Sequence, residues 1–233
     1  MSTRRDELAT NLDSVRRRIA NAAERSGRHP DEITLVAVTK YFPASDVRLL
    51  AELGVTDVGE NRHQEAQAKA AECADLGLRW HFIGGLQSNK AAAVAGYADV
   101  VESVDRVKLV DPLDRGAHQR SHPVEVLIQV SLDPPGATGR SGADPGDVDA
   151  IAAAIEQAAM LRLRGLMAVA PLGAEPGPAY SRLAAIRARF LSTRAGATWL
   201  SAGMSGDLES AIEAGATHVR LGTAVLGTRP RNL

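Results

Sequence analysis

The sequence predicts an α/β protein that closes into a (β/α)8 TIM barrel. Three observations lead there. Short β-rich runs alternate strictly with helical segments, which argues a parallel sheet with helical crossovers. Counting Ile33–Thr39 as the first strand gives about eight strand-plus-helix units. The chain has 233 residues, enough for one such barrel. An open doubly wound sheet is the alternative, but no GxGxxG follows any strand, which removes its dinucleotide-binding form.

The elements follow in order. Leu8, Leu12, Val15, Ile19 and Ala22 recur at threes and fours within Glu7–Arg25, one stripe of an amphipathic helix that Gly27 and Pro30 end. "ITLVAVT" (33–39) then reads as a short strand buried on both faces. Helix and strand alternate from there: "ASDVRLLAELG" and "VTDVGE", "RHQEAQAKAAECADLG" and "RWHFIGG", "QSNKAAAVAG" and "ADVVESV". A helix from about Arg106 to Arg120 precedes "VEVLIQVSL", and "GDVDAIAAAIEQAAML" precedes "LRGLMAV". "PAYSRLAAIRARFLS" leads to "ATWLSAG", and "GDLESAIEAG" leads to "THVRLGT". The one Gly/Pro-rich stretch, 133–147, follows the fifth strand and reads as a loop of the barrel rather than a linker. The expected organisation is a single domain over 1–233, with an N-terminal helix in 1–30 and the barrel in 31–228.

Composition narrows the function. Hydrophobic residues make up 45% but aromatic residues only 3%, so aliphatic side chains must fill the core. The formal net charge of -1 gives no global electrostatic case for nucleic acid. No apolar run is long enough for a membrane helix, and the charged N-terminus does not read as a secretion signal. Cys73 is the single cysteine, so no internal disulfide forms, and a cytoplasmic location is expected.

In a barrel of this kind chemistry gathers at the C-terminal ends of the strands. Those ends offer Lys40, Glu60, Asn61, Glu102, Gln129, Ser131, Met167, Ser201 and Arg220. Glu60 and Glu102 also suit a helix start, and Ser131 with Asp133 suits a turn. Two segments carry more. In "WLSAGMSGDLESAIEAG", Gly203 to Gly206 bring backbone N–H groups and the Ser205 hydroxyl together before a helix; taken alone, Ser205 reads first as a helix cap. In "HVRLGTAVLG", His218 and Arg220 share one strand face, and Gly222 and Thr223 open a short helical stretch. These follow the seventh and eighth strands, where barrels recurrently bind phosphate. Closure would set the first strand beside the eighth, bringing Lys40 near Arg220 and that phosphate seat. A lysine amine beside a phosphate seat suits pyridoxal phosphate. A simple cationic role for Lys40 toward a phosphorylated sugar is the alternative.

The motifs "LVAVTKYFP", "VGENRHQEAQAK", "WHFIGGLQSNK", "VESVD", "RGLMAV", "LSAGMSGDLESAIEAG" and "VRLGTAVLG" occur in this order from Val36 to Gly227. On them the chain resembles the pyridoxal-phosphate homeostasis protein family, single-domain relatives of the alanine racemase N-terminal barrel. The resemblance implies a fold-type III barrel that holds pyridoxal 5'-phosphate as an aldimine on Lys40. It implies phosphate contacts from Ser205, Gly222 and Thr223, Arg220 at the pyridine nitrogen, and Asn61 beside the ring. Ser201 and Met167 fall in matching motifs near the pocket. His81, Gln87, Asn89 and Lys90 match the signatures without a derivable role, and His81 reads first as a hydrogen-bonded core residue. Arg140 stands where relatives often carry lysine.

The resemblance implies a carrier that buffers or delivers the cofactor and so affects amino- and keto-acid balance, with apo forms of pyridoxal-phosphate enzymes as partners. A weak amino-acid racemase is the second reading, and a Schiff-base aldolase with Glu60 or Glu102 as acid/base is the third. An arginine at the ring nitrogen weakens the electron sink. The second domain that brings a racemase its tyrosine has no room after Gly227, and a monomer is expected. His118 and His122 are spaced for a metal on a helix, but a third ligand is missing and helix-end roles are favoured.

Overall fold

The structure is a computed structural model that describes residues 3–133, 141–171, 173 and 175–228. Arg140 falls outside the described residues. Eight parallel strands close in sequence order, each neighbour hydrogen-bonded to the next and the eighth back to the first. They are β1 (Thr34–Val38), β2 (Asp57–Glu60), β3 (Arg79–Phe82), β4 (Val100–Val104), β5 (Val124–Val130), β6 (Leu161–Ala168), β7 (Trp199–Ser201) and β8 (His218–Leu221). The predicted (β/α)8 barrel is therefore the architecture, and the open sheet is excluded by the β1–β8 pairing.

A helix precedes the barrel: α1 (Arg4–Arg25). It starts earlier than the apolar stripe predicts because Thr3 caps it. The Thr3 hydroxyl accepts the Asp6 N–H at 3.2 Å, and the Asp6 carboxylate accepts the Thr3 N–H at 2.9 Å. Its buried stripe is the predicted Leu8, Leu12, Val15, Ile19 and Ala22, with Ala23 added. Burying each of the larger side chains contributes about 1.5–3 kcal/mol. The remaining helices are α2 (Ala44–Glu52), α3 (His63–Glu72), α4 (Ser88–Ala95), α5 (Val110–Ala117), α6 (Val148–Gln157), α7 (Pro176–Leu191), α8 (Leu208–Glu213) and α9 (Thr223–Leu226).

Boundaries differ from expectation elsewhere too. β1 stops at Val38 rather than Thr39, because Thr39 turns out to accept the Phe42 N–H at 3.1 Å and to donate its hydroxyl to Glu60 at 2.7 Å. The helix expected over 106–120 splits into a 3-10 turn, Val107–Leu109, and α5, which ends at Ala117.

The apolar core lies outside the barrel wall, in two clusters. One packs α4 to α7 against β3 to β7; the other packs α1, α2, α8 and α9 against β1, β2 and β8. The barrel interior is different. Cross-strand partners share a face, so Val36, Asp57 and Arg220 point the same way, as do Gly59 and His81. Asp57, His81, Glu102, Ser201, His218 and Arg220 are all buried there, and Val100, Leu127 and Met167 form a small apolar cluster beside them. Barrels usually fill this space with branched aliphatic side chains. Here it holds charge.

Candidate functional site

At the C-terminal ends of the strands, Lys40 follows β1 in a turn and is half-buried. Its amine makes no hydrogen bond or ion pair among the described residues. Its neighbour is the Tyr41 ring, whose centroid lies 5.9 Å from Nζ, with the Arg62 guanidinium 5.2 Å from the same ring. Tyr41 is the only described non-glycine residue in the left-handed region, at φ 70°. That conformation costs on the order of 1–3 kcal/mol. It is held by the Tyr41 N–H, which donates to Glu65 Oε1 at 2.6 Å. The turn that sets the direction of Lys40 is thus fixed from α3.

The other predicted site residues lie at or beyond the C-terminal ends of their strands. Gly222 lies against β1: a Cβ there would stand 3.4 Å from the Val38 carbonyl oxygen. Thr223 is the first residue of α9 and exposed. Ser205 does not cap α8; Asp207 occupies that cap position and binds the Met204 N–H at 2.6 Å. The Ser205 hydroxyl instead accepts the Ala224 N–H at 3.2 Å, tying the β7 loop to α9. The cap role weighed for Ser205 is thereby corrected. Asn61 follows β2, and its Oδ1 is buried without a hydrogen-bond partner among the described residues. Gly84 makes room for this position, since a Cβ there would lie 2.1 Å from the Asn61 carbonyl oxygen. A cleft of about 190 Å3 continues from Asn61 past Gly84, Gln129 and Ser131 to Val169. Two clefts of about 590 Å3 open at the other end of the barrel, one beneath α1 and one around Arg28, Arg79 and Arg187. Neither touches the strand C-terminal ends.

Below the mouth, Arg220 donates from Nη1 to Ser201 Oγ at 2.6 Å and from Nη2 to the Ala168 carbonyl at 2.8 Å. The Ser201 hydroxyl in turn donates a hydrogen bond to Glu102 Oε2 at 2.6 Å. Met167 is buried in the barrel against Val100 and Leu127. Glu102 is not a helix-start residue, as it could be read, but a mid-strand carboxylate buried in the barrel. Burial alone would raise its pKa. The hydrogen bond and charge of His81, then the Arg220 and Ser201 contacts, outweigh burial and hold it at about 2.

Glu60 is corrected in the same way. It ends β2, is 1% exposed, and its Oε1 binds Lys69 Nζ at 2.5 Å. Lys69 also donates to the Thr39 carbonyl at 2.7 Å and pairs with Glu65 at 2.9 Å. Burial raises the Glu60 pKa despite this partner. Asp57 and Lys69 were not singled out in the sequence. No local signal marks them, because their partners come from other strands and helices. Gln87 precedes α4 and Asn89 and Lys90 lie in its first turn; no contact in the structure explains why they recur in the signature. His118 follows α5 at its C-cap, 3.5 Å from Asp114, and His122 lies 3.5 Å from Asp99, so the two serve separate carboxylates. Among the described residues, no group of three or more potential ligands could hold a metal ion, and no helix is long and apolar enough to cross a membrane.

A charged barrel interior thus lies beneath a lysine turn and a glycine-rich mouth. The profile of the alanine racemase N-terminal domain matches residues 10–230. Alanine racemase from Clostridium difficile 630 shares the fold at a TM-score of 0.71 and 16% identity, over 97% of this chain and 58% of that one. Closer relatives are more specific. The chain is 44% identical to a pyridoxal phosphate homeostasis protein of Mycobacterium tuberculosis, over 97% of this chain and 94% of the other. It is 40% identical to that of Escherichia coli K12, over 96% and 97%. PipY of Synechococcus elongatus PCC7942, solved with PLP bound, aligns at a TM-score of 0.81 and 35% identity, over 94% of this chain and all of that one. The chain belongs to the pyridoxal phosphate homeostasis protein family.

Proposed function

We propose that this chain binds pyridoxal 5'-phosphate at the C-terminal mouth of its barrel and acts in the cell's homeostasis of that cofactor, holding it and releasing it to apo-enzymes. The observation that carries the reading is the Lys40 amine. It has no hydrogen-bond or ion-pair partner among the described residues, and it follows, in a turn, the strand that pairs with the strand of Arg220. The unpartnered Oδ1 of Asn61 fits the same group, as a buried polar atom beside the mouth. When bound, pyridoxal phosphate supplies an aldehyde that bonds a lysine amine and a ring that draws electrons from an attached amino acid.

In this reading the Ser205 and Thr223 hydroxyls and the N–H groups at Gly222 and Thr223 bind the phosphate, an oxyanion to which N–H and O–H donors bond strongly. Asn61 flanks the ring. Met167 and Ser201 form the floor beneath it, and Arg220 meets its nitrogen. Arg220 is a fixed cation and cannot accept the ring proton, whereas a carboxylate there would keep the ring protonated. A neutral ring is a weak sink, and each 1.36 kcal/mol lost at a transition state slows a reaction about tenfold. That favours a carrier over a transaminase or decarboxylase. A racemase needs a second proton donor across from Lys40. The Tyr180 hydroxyl donates to Asp207 at 2.6 Å, and Tyr97 stacks on His63 at 5.9 Å between centroids. Tyr41 lies beside Lys40 itself. We take the working unit to be a monomer in the cytoplasm.

Reduction of the protein with borohydride after mixing with pyridoxal phosphate, followed by peptide mapping, tests the reading. The pyridoxyl label is expected on Lys40, and Lys40→Ala is expected to lose it. A label on another lysine, or none, overturns the site. Transfer to an apo-enzyme faster than release into solvent supports delivery, and Lys40-dependent exchange of an amino acid's α-proton would favour the racemase.

A further inference from the structure

We propose that Glu102, held by a doubly protonated His81, is a positioning residue for Arg220 and sets how the guanidinium meets the cofactor's ring nitrogen. The proposal rests on the reading of the mouth as a pyridoxal-phosphate site. His81 Nε2 lies 2.9 Å from Asp57 Oδ1 and Nδ1 lies 2.7 Å from Glu102 Oε1. An ionised carboxylate only accepts, so both ring nitrogens must donate, and the imidazole must carry a proton on each. From Glu102 the chain continues through Oε2. That oxygen accepts the Ser201 hydroxyl at 2.6 Å and lies 3.7 Å from Arg220 Nη1.

The result is a row of alternating charge inside the barrel: Asp57 on β2, His81 on β3, Glu102 on β4 and Arg220 on β8. Each is buried. His218 on β8 also faces His81, with ring centroids 6.2 Å apart, and Arg79 Nη1 reaches Asp57 at 3.6 Å. Burial opposes the charge on His81, yet the hydrogen bonds to Asp57 and Glu102 outweigh it and raise its pKa. Burial holds His218 at about 4, so it stays neutral and leaves the alternation intact.

The guanidinium has one anchor at each terminal nitrogen, Ser201 and the Ala168 carbonyl. Ser201 is in turn oriented by Glu102. The carboxylate therefore does two things. It fixes which way Arg220 points, and it compensates the cationic field at the ring nitrogen. Were Glu102 neutral, the nearer uncompensated charge would be the guanidinium, and the ring would hold a proton less readily.

The test is the absorbance of bound pyridoxal phosphate as a function of pH, read in the holo-protein for wild type and Glu102→Gln. The midpoint is expected to move down by about one unit, a tenfold loss of proton affinity. Wild type that carries no label on Lys40 defeats the cofactor reading itself. Wild type labelled on Lys40, with an unmoved midpoint in a folded Glu102→Gln, overturns only the role of Glu102. Should that variant fail to fold, Ser201→Ala keeps every charge and removes the bridge; a smaller shift in midpoint supports the proposal and none overturns it. Nitrogen-15 NMR of the cofactor-free wild type gives an independent reading. His81 is expected to remain doubly protonated as pH rises past 6.5, where an ordinary histidine loses its proton, and a His81 that loses its proton there overturns the proposal.

Discussion

Val36 on the first strand is the register partner of Arg220 on the eighth. The chain from Val36 to Lys40 therefore rises from the level of the guanidinium to the mouth of the barrel. Gly222, two residues beyond Arg220, closes against Val38 on the way. One pairing thus brings a lysine, an arginine and a glycine turn from opposite ends of the sequence to one place. Barrel closure is the physical cause, since it is the only event that makes the first and last strands neighbours.

If the β7 loop and α9 form the phosphate seat, Ser205→Ala weakens pyridoxal phosphate binding. A hydrogen bond to a charged group contributes about 1.5–3 kcal/mol, so the dissociation constant should rise at least tenfold. The variant loses only the acceptor for the Ala224 N–H within the protein, and its fold should persist. An absorbance titration that gives the wild-type affinity would remove Ser205 from the seat.

Gly84 is required for packing. Its missing Cβ would lie 2.1 Å from the Asn61 carbonyl oxygen and 2.8 Å from the Asn61 Cα. Gly84→Ala must push β3's exit away from Asn61, and overpacking of this sort costs about 1–3 kcal/mol. A lower melting temperature together with weaker cofactor binding is expected. A wild-type melting temperature would show that the turn yields freely.

Lys69→Met leaves Glu60 buried without its cation. Breaking a buried pair costs about 3–5 kcal/mol when the remaining charge is retained. The pH dependence follows from the sign. Burial raises the Glu60 pKa above its ordinary 4.5, so the folded state binds this proton more tightly than the unfolded state. The associated stability is present below 4.5 and is lost as pH rises through the folded value. Removing Lys69 removes contacts that limit the rise. Urea unfolding should show a small deficit for the variant near pH 4.5 and a larger one at pH 7. An equal deficit at both would mean that Glu60 does not titrate with Lys69.

His218 supplies an acid limb. Burial lowers its pKa from 6.5 to about 4. Between these values the unfolded chain takes up a proton that the folded chain refuses, so stability grows as pH rises from 4 to 6.5. The full effect is about 3 kcal/mol. Glu102, held at about 2, loses its contribution below 4.5, and Glu60 opposes His218 in the upper part of the window. His218→Gln should make the rise in stability between pH 4.5 and 6.5 smaller, as read by thermal melts. An unchanged slope would assign the limb elsewhere.

The sequence by itself determined the barrel, the order of its elements and the stripe that seats α1. These depend on local periodicity, which a single strand or helix already carries in its own residues. It also marked Lys40, Asn61, Ser205, Arg220, Gly222 and Thr223, through motifs in which the chemistry and the turn lie within a few residues. Glu60 and Glu102 read equally well as helix-start acids, and Ser205 as a cap, because a short window cannot say whether a polar side chain points to solvent or into the barrel. Only the tertiary structure decided that. The register of β2, β3, β4, β7 and β8 turns Asp57, His81, Glu102, Ser201 and Arg220 inward together. Contact across strands far apart in sequence, in a buried space, is what makes charges in that row depend on one another.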